Sequence, residues 1–399
     1  MIPLDDALKL VAESIRPLQA VKAKLEDAPG CCLASDVRAQ IPNPCFDNSQ
    51  MDGYAVLSAD ITAASRTNPA VLEVIDRLAA GRASDQFLKN GQAVKIMTGA
   101  PMPKGADAIV AVEDTELTGN SVKIFHAAKK GEFVRNAGED IKQGDTIMRK
   151  GQMVGPAEIL ALANQGMEEV EVVRRPKVAI IATGDELAYP GQRLEAGHIY
   201  NSSSPMLAAL LRSFGAVPFD QGIVPDDPKL VAEKLCEALG FDMILLTGGV
   251  SVGDYDVNRN VLSNMGWREI FWKVAIKPGK PLAFGLLEGK PVFGLPGNPI
   301  STMTASRLFA REAIGKMTGC SNGRCATARL ANDVLRDSRR EQLLLAAMKC
   351  ENGSLIVEAA GPQNSAHIKP ALTANCLARI PAGEGVEPKG SLVNIPALF

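Results

Sequence analysis

Apolar residues recur at Leu4, Ala7, Leu8, Val11 and Ile15, a spacing that predicts an amphipathic helix over residues 4–26, interrupted at Pro17. From about residue 41 to 140 the texture changes. Short β-like runs at 54–57, 71–75 and 108–112 are separated by glycine-rich turns, which predicts a small all-β unit. Helical spacing returns over residues 156–163. The two helical stretches are read together as one discontinuous helical domain, 1–40 and 141–175, with the β domain 41–140 inserted between them.

Between residues 176 and 317 apolar runs alternate with helical patterns. Strands are expected at 178–182 and 243–246. Helices are expected from Ser204-Pro205 and from Asp226-Asp227-Pro228, where a capping side chain precedes a first-turn proline. Continuous apolar strands between helices predict a doubly wound, mostly parallel sheet, whose ligands sit beyond the carboxyl ends of its strands. The last stretch, 318–399, is β-like again. Runs at 343–348 and 355–358 flank Asn352-Gly353, a hairpin signal, and the whole reads as a small barrel or sandwich. The fold class is therefore multidomain α/β plus β.

The densest chemistry follows the 243–246 run: Thr247-Gly248-Gly249-Val250-Ser251-Val252-Gly253-Asp254-Tyr255-Asp256. Glycines allow close backbone approach to a ligand, successive N–H groups can cradle an anion, and the two acids can hold a hard cation against it. Composition narrows the alternatives. Lys+Arg 43 against Asp+Glu 45 leaves no electrostatic footprint for nucleic acid or a membrane surface. The first residues lack the order of a signal peptide, and no apolar run reaches a membrane span. The eight scattered cysteines show neither a disulfide framework nor a zinc pattern, so reduced thiols in the cytoplasm are expected. Three distant histidines (His126, His198, His367) argue against histidine-based metal chemistry or a Ser-His-Asp triad.

Other clusters carry both a chemical and a plain reading. Thr183-Gly184-Asp185-Glu186-Leu187, after a strand, can position a cation or a hydroxyl, or merely reverse the chain. Asp226-Asp227-Pro228 is explained by helix capping. Lys273, Lys277 and Lys280 surround a Pro-Gly bend and suit a tetrahedral oxyanion, although lysines at strand ends are commonly just solvated. Asn298-Pro299 opens a helix over about 300–316, an available anion site that simple capping also explains. Asp52-Gly53 reads as an ordinary turn.

Seven motifs occur in order: Met51-Asp52-Gly53-Tyr54-Ala55-Val56, Met97-Thr98-Gly99-Ala100, Gly138-Glu139-Asp140, Thr183-Gly184-Asp185-Glu186-Leu187, Gly248-Gly249-Val250-Ser251-Val252-Gly253, Ile276-Lys277-Pro278-Gly279-Lys280-Pro281 and Leu295-Pro296-Gly297-Asn298-Pro299. Together they resemble the molybdopterin molybdenumtransferases, bacterial relatives of the gephyrin C-terminal domain. The resemblance runs from the first helix to the tail. It implies four domains: the discontinuous helical one, the inserted β domain, a molybdopterin-binding α/β domain at 176–317 and a C-terminal β domain at 318–399. It also implies Mg2+-dependent insertion of molybdate into adenylylated molybdopterin with release of AMP. The expected form is a cytoplasmic homodimer, with the molybdopterin adenylyltransferase and molybdoenzyme acceptors as further partners. A gephyrin-like scaffold and a tungstate-using homologue are the alternatives.

Carried over residue by residue, the functional acids fall on Asp52, Asp140, Glu186, Asp226 and Asp256. Glu186, Asp226 and Asp256 are the implied metal ligands. Thr98 and Lys277 join the catalytic set. Gly248, Gly249, Ser251, Lys273, Lys280, Asn298, Pro299, Arg340 and Ser365 are the implied substrate-binding residues. The tail departs from the family pattern: Arg339 replaces a common glycine before Arg340, Asn364 replaces one before Ser365, and Ala366 follows it. Arg339 and Arg340 thus compete for one role.

Overall fold

Six strands form the sheet that positions the site: Lys177–Thr183 (β1), Val217–Val224 (β2), Met243–Thr247 (β3), Arg268–Trp272 (β4), Ala283–Leu287 (β5) and Lys290–Leu295 (β6), in the spatial order β2-β1-β3-β6-β5-β4. The first four in that order are parallel, and β5 and β4 add antiparallel. In this computed structural model the described residues are 1–248, 257–320 and 326–399. The expected residues Gly249, Ser251 and Asp256 lie outside them.

The alternation along β1 and β3 shows why the sheet is covered on both faces. Val178, Ile180 and Leu245 pack on one side with Leu207, Phe309 and Leu4, while Ala179, Ile181, Ile244 and Leu246 pack on the other with Val231, Leu235 and Leu262. All five residues from Val178 to Ala182 in β1 are fully buried. Two such faces make near-continuous apolar strands, because neither set of alternate side chains meets water.

The chain divides into two units: Met1–Ser35 with Lys150–Ile159 and Glu169–Phe399, and Asp36–Arg149 with Leu160–Glu168. The first also holds a closed five-stranded barrel. Glu341–Glu351, Ser354–Ala359, Ala326–Leu330, Leu392–Leu398 and Cys376–Ile380 pair in turn, and the last pairs back to the first. The hairpin expected at Asn352-Gly353 is present, with both residues at positive φ (48° and 77°), as a type I′ turn requires. The second unit contains a six-stranded sheet around Gly53–Val56 and Gln92–Ile96, with Tyr54, Val56, Leu72 and Val110 in its core.

Three expectations need correction. The N-terminal helix spans Leu4–Ser14 and does not reach residue 26. Ile15 is already extended, and Ala20–Lys24 instead pairs antiparallel with Glu169–Val173. Leu4, Ala7 and Val11 are buried in the sheet core, beside the Arg311–Thr318 helix. The helix expected over 300–316 runs as Pro299–Ala305, a π turn at Ser306–Ala310, and Arg311–Thr318. Finally, not all thiols are free. Cys32 and Cys320 are bonded, with Cα atoms 5.9 Å apart, a separation within disulfide range. They lie 288 residues apart in the chain, so no spacing pattern could reveal the pair.

Candidate active site

The order β2-β1-β3 reverses direction at β1, so a crevice opens beyond the carboxyl ends of β1 and β3. Thr183 ends one strand and Thr247 the other, and both are buried. Thr183 Oγ1 donates to the Thr247 carbonyl at 3.2 Å. Asn258, fully buried at the start of the Val257–Asn264 helix, donates through Nδ2 to Thr183 Oγ1 and to the Gly248 carbonyl, each at 2.7 Å. One amide thus ties both strand ends to the first residue of the glycine loop. Gly248 has φ +90°, and a Cβ there would stand 2.3 Å from the Thr183 carbonyl oxygen. Only glycine fits so close to the neighbouring strand.

Above these strand ends lies a cleft of about 1130 Å³. Its lining includes Glu186, Asp226, Gly248, Lys277, Lys280, Asn298, Pro299, Arg340 and Ser365. Nine residues expected to share a site therefore line one cleft, drawn from segments spread between Glu186 and Ser365. The same lining includes Asn201, Arg336, Asp337 and Gln363, which sequence reasoning missed.

The carboxylate pair is set by a division of labour between adjacent aspartates. Asp227 is the cap of the Pro228–Ala238 helix, its Oδ1 accepting from the N–H groups of Lys229 at 2.8 Å and Leu230 at 3.1 Å. Asp226 is left free for the cleft, so the capping explanation holds for its neighbour only. Burial and the nearby Asp185 and Glu186 carboxylates push the Asp226 pKa above the usual range. Mutual repulsion of this kind is relieved by a divalent cation. Among the described residues no three His, Cys, Asp or Glu side chains assemble at metal-ligand spacing.

Asn298 precedes the Pro299–Ala305 helix, yet its side chain makes no capping bond. Its Nδ2 donates instead to Ser365 Oγ at 3.3 Å. Capping is therefore not what the side chain does.

The cationic side is assembled by strand pairing. Ile276–Lys277 pairs parallel to the start of Glu341–Glu351, with Ile276 opposite Glu341 and Lys277 opposite Gln342. That register brings Lys277 to the segment carrying Arg340. Asp337 sits between them: its Oδ2 accepts from Arg340 Nη2 at 2.7 Å and lies 3.8 Å from Lys277 Nζ. The Arg340 guanidinium and the Arg339 N–H bond hold the Asp337 carboxyl down to a pKa of about 2. Arg340 lines the cleft, and Arg339 is absent from the described lining.

Lys273 does not join the cleft lining. At φ 68° it turns away after β4, and its Nζ rests 3.5 Å from the centroid of the Trp272 ring. Asp52, Thr98 and Asp140 belong to the second unit, whereas the cleft is built entirely within the first. Asp52 Oδ1 accepts from both Thr98 N–H and Thr98 Oγ1 at 2.7 Å, and those bonds lower its pKa. Asp140 accepts from Asn43 Nδ2 at 2.9 Å.

The fold and the cleft define a doubly wound α/β protein with paired carboxylates and clustered cations at its switch point. Family models match nearly all of it in three pieces: MoeA N-terminal region (domain I and II) over residues 2–166, a probable molybdopterin binding domain over 179–316, and MoeA C-terminal region (domain IV) over 327–398. The chain belongs to the molybdopterin molybdenumtransferase family and is a transferase. Molybdopterin molybdenumtransferase 2 of Mycobacterium tuberculosis is 37% identical over 381 residues, 94% of either chain. The molybdopterin molybdenumtransferase of Staphylococcus aureus is 33% identical over 397 residues, 99% of this chain and 95% of the relative. A crystal structure of the molybdopterin biosynthesis MoeA protein from Pyrococcus horikoshii superposes with a TM-score of 0.84 at 30% identity, covering both chains fully.

Proposed function

We propose that the cleft binds adenylylated molybdopterin and molybdate and inserts molybdenum into the dithiolene with release of AMP. The observation that carries this reading is the meeting of Glu186 and Asp226 with Lys277, Lys280 and Arg340 around one cleft. Protein carboxylates facing a phosphate-bearing substrate call for a divalent cation, and cations beside them call for a second anion. Asp226 and Glu186 are the residues that would hold Mg2+, joined by Asp256 as the resemblance implies. Mg2+, when bound, supplies Lewis-acid activation of phosphoryl oxygen.

The chain's own groups do the rest. Gly248 lets the backbone approach the pterin phosphate, held in place by Asn258. Lys277, Lys280 and Arg340 neutralise the dianionic oxyanion, and Asn298 with Ser365 contributes neutral hydrogen bonds beside it. Bringing oxyanion and dithiolene into one cleft supplies a proximity contribution. No protein nucleophile enters the scheme. The chain acts as a cytoplasmic homodimer in this reading, with Asp52, Thr98 and Asp140 keeping the roles the resemblance implies. Its further partners are the enzyme that adenylylates molybdopterin and the molybdoenzymes that accept the product.

The test is AMP release from purified adenylylated molybdopterin with molybdate, with and without Mg2+. Release that requires both, and that Glu186→Gln abolishes, supports the proposal. Release unchanged by Glu186→Gln removes that residue from the metal role, and no release by the wild-type protein removes catalysis.

A further inference from the structure

We propose that Asp337 is an internal counter-anion that occupies the cationic pole of the cleft and lowers its affinity for the incoming oxyanion. The inference rests on the oxyanion reading of that pole and adds to it a residue that sets how tightly the anion is held.

The geometry distinguishes the two carboxylate oxygens. Oδ1 accepts from the backbone N–H groups of Arg339 and Arg340, each at 3.1 Å, which anchors the side chain to its own turn. Oδ2 is thereby aimed outward, 2.7 Å from Arg340 Nη2 and 3.8 Å from Lys277 Nζ. An oxygen of a bound tetrahedral oxyanion would seek the same two cations. The Asp337 side chain is only 15% exposed, while Lys277 and Arg340 are 47% and 31% exposed, so the cations remain reachable from the cleft. The Asp337 N–H also donates to Gln342 Oε1 at 3.2 Å, and its carbonyl accepts from the Gly383 N–H at 3.0 Å. The backbone bonds hold the turn whether or not the carboxylate is charged.

The consequence is electrostatic. A fixed negative charge within a few ångströms of an anion site opposes every anion, and opposes a dianion twice as strongly as a monoanion. It also keeps Lys277 and Arg340 from facing each other unpaired when the cleft is empty. Oxyanion binding is then an exchange, in which the ligand takes over donors that Asp337 holds.

The experiment measures molybdate binding to the full-length protein by calorimetry at low and moderate salt, for wild type, Asp337→Asn and Asp337→Ser. Asparagine keeps the Oδ1 acceptor for the Arg339 and Arg340 N–H groups, and serine keeps a shorter one, so one variant covers for the other if folding suffers. The expected result is a molybdate Kd about five- to thirty-fold tighter in both variants, from removal of one nearby charge at the high effective dielectric of a half-open cleft. Perrhenate, a tetrahedral monoanion, should tighten by a clearly smaller factor. A structural role would loosen binding, so weaker or unchanged molybdate binding in the variants, with wild type binding normally, overturns the inference alone. Equal tightening of both anions also overturns it, because charge would not be the cause. Absence of molybdate binding in all three proteins overturns the oxyanion reading and this inference together.

Discussion

Asn298 stands at the N-cap of a helix, but its amide reaches Ser365 on the barrel side of the cleft, 3.3 Å away, and leaves the helix uncapped by any side chain. A residue in the capping position has thus been turned to the site. Removal of a working cap costs about 1 kcal/mol. Asn298→Ala should therefore change stability by less than about 0.5 kcal/mol, well below the usual loss at a cap. Urea unfolding measures that, and AMP release should fall in the same variant. A full capping loss with unchanged turnover would contradict the assignment.

Ionised Asp226 is disfavoured in the free protein by burial and by the neighbouring Asp185 and Glu186 carboxylates. The folded pKa is raised, so the folded protein binds more protons than the unfolded chain between the ordinary carboxylate value and the raised one. Stability from this group is fully present below the unfolded pKa and is lost as pH rises through the folded one. Asp226→Asn should accordingly be more stable than wild type at neutral pH, with the gap closing in acid. Thermal unfolding from acid to neutral pH reads this, and added Mg2+ should raise the wild-type transition more than that of the variant.

Gly248 carries φ +90° with the Thr183 carbonyl 2.3 Å from where a Cβ would stand. Gly248→Ala should cost about 2–4 kcal/mol, through the strained backbone and the forced separation of β1 from β3. Denaturant titration measures the loss, and AMP release should fall further than stability alone accounts for.

Arg379, on the Cys376–Ile380 barrel strand, donates through both Nη atoms to Asp5 at 2.8 Å and through Nε to Glu341. It fastens the N-terminal helix to the barrel. Arg379→Met should destabilise the protein by about 1–3 kcal/mol, since two carboxylates lose a charged partner. The arginine also lowers the Asp5 pKa, so that part of the stability is present above the unfolded carboxylate value and is lost as pH falls through the lowered one. The variant's unfolding curve should be flatter than that of wild type in acid.

Much was legible from local pattern. The apolar runs of β1 and β3, the Asp-Pro helix start and the Asn-Gly hairpin are governed by neighbours in the chain, so their residue types predict them. The gathering of Glu186, Asp226, Lys277, Asn298 and Arg340 in one cleft followed from motif resemblance, since no local rule reports it.

Tertiary structure decided what depends on side-chain direction and on distant pairing. Which of Asp226 and Asp227 caps the helix turns on the φ and ψ of one junction. Lys273 leaves the cleft because its backbone enters the left-handed region and its ammonium settles on Trp272. Arg340 reaches the cleft beside Asp337 and Lys277 because Lys277 pairs in register with the strand that follows them. Cys32 meets Cys320 for the same reason: contacts between segments far apart in the chain are set by packing, and a linear sequence carries no distance across the fold.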